Sequence, residues 1–238
     1  MLQLIQNKYK VLLEQGFLPI LVADGVDALF EVEAAVNAGF KAVEFTLRRP
    51  DARVMIPEIR KRFPDLLLLV GSVLDAPKVV KNLQHKNPQL MLVEELADCG
   101  VDGLVSMLDF SDETIAKYQN QMLLMPAAAT PAEGLRLFEK GVHFIKVITP
   151  YLPTINSLTA APSFNFAPLL VTGGMNLETI PTPFADMAKY CEITPNHEML
   201  LCRVIDLSQT AGNMNFPPIS NEAVNSSGIY VFERKNNL

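Results

Sequence analysis

Short apolar runs rich in β-branched residues alternate with segments of helical spacing from Phe17 to about Ile193. These runs predict strands at Leu18–Val22, Ala42–Leu47, Leu66–Gly71, Gly103–Ser106, Met122–Pro126, His143–Thr149 and Leu169–Thr172, with a weak eighth near Tyr190–Thr194. Most of the runs do not alternate apolar with polar positions, which is typical of strands covered on both faces in a parallel sheet.

Helical patterns fill the intervals between the predicted strands. Two examples are Val26–Ala38, which ends at Gly39, and Pro131–Glu139, which ends at Gly141; a glycine just past the last turn fits a helix C-cap. Seven or eight such β–α units in about 190 residues favour a closed barrel over an open sheet. No G-x-G-x-x-G follows the first strand, which argues against an open nucleotide-binding sheet. We therefore predict an α/β fold, a (β/α)8 TIM barrel.

The two ends of the chain and one internal segment depart from this rhythm. The first 16 residues have charges within an apolar pattern and predict an amphipathic N-terminal helix instead of a signal peptide. Lys78 to Asp98 is long for one crossover and predicts an insertion in the outer helical layer. After Asp206 the composition turns to Asn, Ser, Pro and Gly. We expect one barrel over residues 1–206 and a C-terminal extension over 207–238 that is not an independent domain.

Composition narrows the classes of function. The net charge is −6 with 20 scattered basic residues, which argues against a nucleic-acid surface. No apolar run reaches the ~18 residues of a membrane span. Three cysteines without a C-x-x-C pair and three distant histidines favour reduced thiols and no metal site. These features predict a cytoplasmic protein that needs no metal and binds neither nucleic acid nor membrane.

The second predicted strand carries three polar residues in alternation. Glu44, Thr46 and Arg48 are two apart, so all three point to one face, and with Val43, Phe45 and Leu47 packed outward that face is the barrel interior. Buried charges of this kind are costly unless they are paired or used. Two interpretations follow: a Glu44–Arg48 ion pair at the barrel mouth, or an acid/base carboxylate beside a cationic anchor for an anionic substrate.

The sixth predicted strand, HFIKVIT, places Lys146 within an apolar run. An ammonium ion is costly there, and the neutral amine is the nucleophile that a Schiff base requires. The alternative is a structural lysine neutralised by Glu44. His143, on the same strand, is expected to make a local hydrogen bond. After the seventh strand, VTGG resembles an anion-binding turn as much as a plain tight turn.

The order of six segments is similar to the KDPG/KHG aldolase family, class I aldolases that cleave 2-keto-3-deoxy-6-phosphogluconate or 4-hydroxy-2-oxoglutarate to pyruvate and an aldehyde. These segments are GFLPILVAD, AGFKAVEFTLR, VGSVLD, MPAAATPAE, FIKVITP and VTGGMN. The resemblance runs from about Phe17 to Ile193, and the E-x-T-L-R strand and the lysine strand are its most specific parts. It implies a homotrimer and a keto-acid substrate.

The resemblance also implies roles for individual residues. Lys146 would form the Schiff base with the pyruvyl carbonyl, Glu44 would move protons through a water, and Arg48 would hold the carboxylate. The remaining predicted substrate contacts are Thr46, Ser72, Pro126, Thr130 and the phosphate cradle of Thr172, Gly173 and Gly174.

Several positions depart from the family pattern, so the chain is a divergent member by this comparison. Leu69 stands where the G-A-G-T-V motif has its first glycine, and Ser106 to Leu108 replace S-P-G. The glycine pair expected after the lysine strand is missing from YLPTINSLTAAP, and TPNHEM, Thr194 to Met199, stands at the position of the final G-G-S-W. Bulkier residues reduce the close backbone approach that a phosphate needs.

Three functions remain open from the sequence. The first is the aldolase, acting on a phosphorylated substrate or on an unphosphorylated acid. The second is a catalytically silent paralogue that binds a keto acid or sugar phosphate. The third, a different barrel enzyme such as a phosphosugar isomerase or epimerase, rests on fold analogy.

Overall fold

The computed structural model describes residues 3–22, 25–148, 168–172 and 199–205. These residues form seven helices and eight strands, in the order α1 Gln3–Gln15, β1 Phe17–Leu21, α2 Ala28–Asn37, β2 Ala42–Thr46, α3 Ala52–Arg62, β3 Leu67–Gly71, α4 Pro77–Leu83, α5 Val93–Asp98, β4 Gly103–Val105, α6 Asp112–Tyr118, β5 Leu123–Met125, α7 Pro131–Lys140, β6 Ile145–Ile148, β7 Leu169–Thr172 and β8 Met199–Ile205.

All eight strands belong to one parallel sheet in the order β5-β4-β3-β2-β1-β8-β7-β6. The two ends of this order are joined by backbone hydrogen bonds: Lys146 N donates to Pro126 O at 2.8 Å, and Ala128 N donates to Lys146 O at 3.0 Å. The strands therefore run around a ring, which agrees with the predicted (β/α)8 architecture.

The eighth strand is not where the sequence pattern placed it. The structure assigns β8 to Met199–Ile205, in register with β1 from Phe17↔Leu201 to Leu21↔Ile205. The run MLLCRVI supplies seven residues that pair with β1 and β7, and the strand predicted near Tyr190–Thr194 lies outside the described residues. The TPNHEM segment therefore leads into β8, whose first residue is Met199, instead of following the last strand.

Two hydrophobic clusters divide the molecule into layers. The larger lies between the sheet and the helices and includes Val43, Phe45 and Leu47, while the smaller fills the ring interior. The interior cluster contains Leu18, Ile20, Ala42, Leu67, Leu69, Val105, Leu123, Met125, Phe144 and Leu170, together with Ile5 and Leu12 of α1. Residues two apart on a strand share a face. A strand residue two positions from a member of the interior cluster therefore also faces the ring interior.

Helix α1 covers one end of the ring. Its Tyr9 ring stacks on Phe144 at 4.9 Å, and Lys8 pairs with Asp102 at 3.1 Å. Gln15, at its C-terminal end, accepts from the backbone of Lys41 and Ala42 and donates to Ala42 O. These contacts lie where the strands begin, so the site predicted at the strand C-termini lies at the opposite end of the ring.

The predicted insertion between the third and fourth strands consists of two short helices, α4 and α5. Arg53 of α3 ties this segment down through Glu95 of α5 and through the carbonyls of Pro88 and Leu90. The predicted C-terminal extension, 207–238, lies outside the described residues.

Candidate active site

Strand β2 supplies the first part of the candidate site. Glu44 and Thr46 are 2% and 0% exposed, and both lie on the face of Ala42, which belongs to the interior cluster. Their neighbours Val43 and Phe45 pack in the outer cluster. The alternation predicted from VEFTLR therefore places a carboxylate and a hydroxyl inside the ring.

The Thr46 hydroxyl connects the ends of β2 and β3. Its Oγ1 lies 3.0 Å from Ser72 Oγ and accepts from Arg48 Nε at 3.2 Å and from Arg48 N at 3.3 Å. Among the described residues no carboxylate pairs with Arg48, which is exposed. The Glu44–Arg48 ion pair considered from the sequence is therefore not formed, and the Arg48 guanidinium donates to the Thr46 hydroxyl instead.

Ser72 has a backbone conformation that few non-glycine residues adopt. Its φ is 62°, in the left-handed region. Such a conformation is unfavourable by about 1–3 kcal/mol when it is not otherwise compensated, and it is found often at functional sites. Here it follows β3 directly and brings the Ser72 hydroxyl to Thr46.

Gly71 leaves space for the Glu44 carboxylate. A Cβ atom at position 71 would lie 1.8 Å from Glu44 Oε1 and 2.7 Å from its Cδ. The carboxylate is therefore packed directly against the backbone of β3. Any larger residue at this position would force the end of the Glu44 side chain to move.

Strand β6 supplies the lysine. Lys146 is 5% exposed and shares the interior face with Phe144, and its backbone is paired with Leu170 of β7. None of the ion pairs within the described residues includes Lys146. Strands β2 and β6 lie on opposite sides of the eight-membered ring, so Glu44 and Lys146 point toward the interior from opposite directions.

Below these polar groups the interior is apolar. Leu69 is fully buried and stands at the position where the family pattern has glycine; its Cδ2 would lie 3.1 Å from a Cβ at Gly103. The large Leu69 side chain on β3 thus packs where Gly103 on β4 has no side chain. Because the surroundings are apolar, electrostatic interactions of the polar groups above are stronger than in water.

His143, predicted to make a local hydrogen bond, instead joins the start of β6 to β5, 19 residues earlier in the chain. Its Nδ1 accepts from Leu124 N at 3.0 Å, and the imidazole also has a hydrogen bond with the backbone of Gln119. Burial lowers the pKa of His143 to about 4 from its ordinary 6.5, only partly opposed by the Gln119 contact. The imidazole is therefore neutral at pH 7, and its contacts with two backbone groups give it a structural role.

The structure gives Pro126 and Thr130 specific roles in the loop after β5. The Pro126 carbonyl accepts from Lys146 N, which helps to fix the lysine strand. Thr130 is exposed and caps α7, accepting from Glu133 N at 3.3 Å while its hydroxyl donates to Glu133 Oε2 at 3.0 Å. The capping hydrogen bonds hold the pKa of Glu133 below its usual value, with the bond from Ala129 N the largest contribution.

The structure describes only the start of the predicted phosphate cradle. Thr172 ends β7 and is 5% exposed, on the same face as Leu170. Gly173 and Gly174 lie outside the described residues, as do 194–198.

The sequence analysis missed one buried cation, Arg49. It is 2% exposed and pairs with Glu31 at 2.5 Å and Asp51 at 2.9 Å. A signal existed in the alternation of β2, since Arg49 continues the outward face of Phe45 and Leu47 that packs under the helices.

The described residues hold neither a metal-binding cluster nor a membrane-spanning helix. They contain no group of three or more His, Cys, Asp or Glu residues arranged to hold a metal ion. Within the same part of the chain, no helix has both the length and the apolar character needed to cross a bilayer.

The arrangement resembles several solved structures. A 4-hydroxy-2-oxoglutarate/2-dehydro-3-deoxyphosphogluconate aldolase superposes with a TM-score of 0.63 at 24% identity, over 87% of this chain and 90% of that one. The KDPG aldolase of Legionella pneumophila, captured with pyruvate as a covalent carbinolamine, superposes with a TM-score of 0.59 at 19% identity. The match covers 82% of this chain and 85% of that one. The Zymomonas mobilis KDPG aldolase gives 0.59 at 21% identity, covering 84% of each chain.

No family model and no curated protein sequence matches this chain. The structural matches show that the chain has the fold of the KDPG/KHG aldolases, at the low sequence identity of a divergent chain.

Proposed function

We propose that this chain, which has the fold of the KDPG aldolases, is a class I aldolase that cleaves a 2-keto-3-deoxy-6-phosphogluconate or 4-hydroxy-2-oxoglutarate type of substrate. The observation that carries the proposal is Lys146, buried on the interior face of β6 and directed toward the side of the ring that holds Glu44. Burying a lysine among apolar side chains costs free energy because the ammonium ion loses its hydration, so such a lysine is typical of sites where the amine takes part in the chemistry.

In the proposed reaction the Lys146 amine adds to the C2 carbonyl of the substrate, and loss of water gives an iminium ion. The iminium accepts the electron pair of the breaking C3–C4 bond, while Glu44 takes the proton of the C4 hydroxyl through a water. The aldehyde leaves. Glu44 returns a proton to C3 of the enamine, and hydrolysis of the imine releases pyruvate and restores the amine.

The substrate carboxylate is assigned to Arg48, with Thr46 and Ser72 beside it. Arg48 is the cation of this cluster that no described carboxylate neutralises, and a guanidinium binds a carboxylate through paired N–H donors. Thr172, with Gly173 and Gly174, is proposed to contact the distal end of the substrate, and Pro126 and Thr130 to border the site.

The proposal includes a homotrimer in the cytoplasm that uses no metal and no other cofactor. Sedimentation equilibrium of the full chain tests the trimer. A pure monomer at all concentrations would contradict it.

The test of the chemistry is borohydride trapping. The protein is incubated with pyruvate and reduced, and the intact mass and the modified peptide are read by mass spectrometry. We expect one reduced pyruvyl group on Lys146 and none in Lys146→Ala. Lys8→Ala removes a lysine at the opposite end of the ring and serves as the matched control, with adduct formation unchanged.

Absence of an adduct in folded wild-type protein would contradict the aldolase. It would favour a protein that binds a keto acid without turnover, a reading supported by Leu69, which fills interior space where the family pattern has glycine. Equilibrium binding of pyruvate then separates this second candidate from an unrelated barrel enzyme.

A further inference from the structure

Arg49 joins three parts of the chain around the turn that carries Arg48. Its Nη1 donates to Glu31 Oε2 of α2, and its Nη2 donates to Val26 O of the β1–α2 loop at 2.8 Å. Its Nε and Nη2 donate to the two carboxylate oxygens of Asp51, both at 2.9 Å.

This cluster is deeply buried. The side chains of Arg49 and Glu31 are 3% and 0% exposed, and the Arg49 guanidinium lies 5.2 Å from the centre of the Phe45 ring. A buried charge pair resists rearrangement, because any movement that separates the partners leaves a charge without compensation in a medium of low dielectric constant.

The turn after β2 is consequently fixed along its whole length. Leu47 N donates to Gly71 O of β3, Arg49 N donates to Thr46 O, and Ala52 N donates to Arg49 O. Arg48 lies between these anchors, with its backbone N and its Nε both donating to Thr46 Oγ1. Its side chain therefore has little freedom at its base.

The two adjacent arginines are also electrically distinct. Two carboxylates, those of Glu31 and Asp51, neutralise Arg49, whereas Arg48 is held by a neutral hydroxyl. Among the described residues, an incoming anion thus meets one oriented guanidinium without a carboxylate partner instead of a pair that competes for it.

We propose that Arg49 is a positioning residue, which through Glu31, Asp51 and Val26 holds the turn so that Arg48 binds the substrate carboxylate. The inference rests on the proposed function, in which Arg48 receives that carboxylate. It assigns specificity for a carboxylated substrate to a residue that does not touch the substrate.

Lysine cannot replace Arg49 in this role. Its single ammonium can reach one carboxylate but cannot direct separate N–H groups to Glu31, Asp51 and a carbonyl in a fixed plane. Arg49→Lys therefore keeps the charge opposite Glu31 while loosening the turn. Arg53→Lys is the matched control, since Arg53 also spans two segments by a bidentate contact with Glu95 at 2.8 and 3.1 Å, outside the candidate site.

The experiment measures borohydride trapping of the full chain over a series of pyruvate concentrations. We expect Arg49→Lys to raise the half-saturating concentration about tenfold while the maximal trapped fraction stays near wild type. Arg48→Lys should raise it at least as much, and Arg53→Lys should leave it unchanged. Glu31→Gln, which removes the charge of one anchor but keeps an acceptor oxygen, should give a smaller rise in the same direction.

Circular dichroism and thermal unfolding confirm that each variant is folded. Folded Arg49→Lys and Glu31→Gln proteins with wild-type half-saturation would overturn the positioning role, as would an equal loss in Arg53→Lys. A wild-type protein that forms no adduct would instead overturn the proposed function, and this role with it.

Discussion

At the scale of single residues, Gly71 and Glu44 depend on each other across two strands. The carboxylate occupies the volume that any other side chain at position 71 would fill. Because Glu44 is 2% exposed, it has no solvent-facing volume into which to retreat without leaving the interior face. The position of the proposed proton carrier is thus set by a residue that has no side chain.

Gly71→Ala should displace the Glu44 carboxylate and reduce proton transfer more than binding. Displacement of a reacting group by about 1 Å costs on the order of 100-fold in rate. The measurement is exchange of the pyruvate methyl protons in D2O, followed by NMR, which requires the enamine but no aldehyde. We expect a loss of at least tenfold, with Lys146 still trapped by borohydride.

The double variant Gly71→Ala/Glu44→Gln controls this interpretation. If alanine acts through Glu44, the double variant should exchange no more slowly than Glu44→Gln alone. If the losses in exchange rate of the two single variants multiply in the double variant, Gly71 acts independently of Glu44.

The residues of the site differ in how far the sequence specifies them. Glu44, Thr46 and Lys146 lie within strands, and alternation or an apolar flank was enough to predict their interior positions. Arg48 and Arg49 follow the strand end, where the direction of a side chain depends on tertiary partners. The structure places Arg49 on the outer face of the sheet, against Phe45 and Glu31, whereas Arg48 is exposed beside Thr46.

At the scale of elements, the contact between β5 and β6 closes the ring and rests partly on a neutral histidine. His143 Nδ1 can accept from Leu124 N only while it is unprotonated. The lowered pKa, about 4, means that protonation opposes this contact. The unfolded imidazole titrates near 6.5, so between these values the unfolded chain binds a proton that the folded chain does not.

Stability should therefore fall as the pH decreases from 6.5 towards 4. Between the two pKa values, each unit of pH changes the contribution of His143 to the free energy of unfolding by about 1.4 kcal/mol. We therefore expect His143 to lower the free energy of unfolding by about 2 kcal/mol between pH 6.5 and 5. Urea unfolding at the two pH values measures it. The drop should be about 2 kcal/mol smaller in His143→Asn, while His85→Asn, at an exposed histidine, should behave as wild type. An equal drop in all three proteins would contradict the assignment.

Most elements followed from the sequence because most strands are predominantly apolar runs with a glycine or cap nearby. The eighth strand did not, since Arg203 interrupts the apolar run Met199–Ile205 and the rhythm of the earlier units pointed to a shorter interval. Pairing with β1 decides its position, and a contact between the first and last strands is invisible to local patterns.

At the scale of the whole molecule, two cores have different tasks. The outer core joins helices to the sheet, and the inner core, completed by Ile5 and Leu12 of α1, fills the ring beneath the polar residues. The N-terminal helix is therefore part of the interior packing, as the amphipathic pattern of the first residues suggested.

Leu12→Ala should lower the free energy of unfolding by about 2–5 kcal/mol, because a fully buried leucine leaves a cavity. Leu4→Ala on the same helix, at a side chain that is 55% exposed, should change it by less than about 0.5 kcal/mol. Equilibrium urea unfolding of both variants provides the comparison. Equal effects would show that α1 does not seal the interior.

The pairing of β1 with β8 has a consequence for synthesis on the ribosome. About 180 residues separate the two strands, and at 5–20 residues per second β1 waits roughly 10–40 s before its second partner exists. During that interval one edge of β1 presents unpaired N–H and C=O groups to whatever strand is nearby, including those of neighbouring nascent chains. Protection of that edge during translation is then as much a requirement of this protein as the stability of the finished ring.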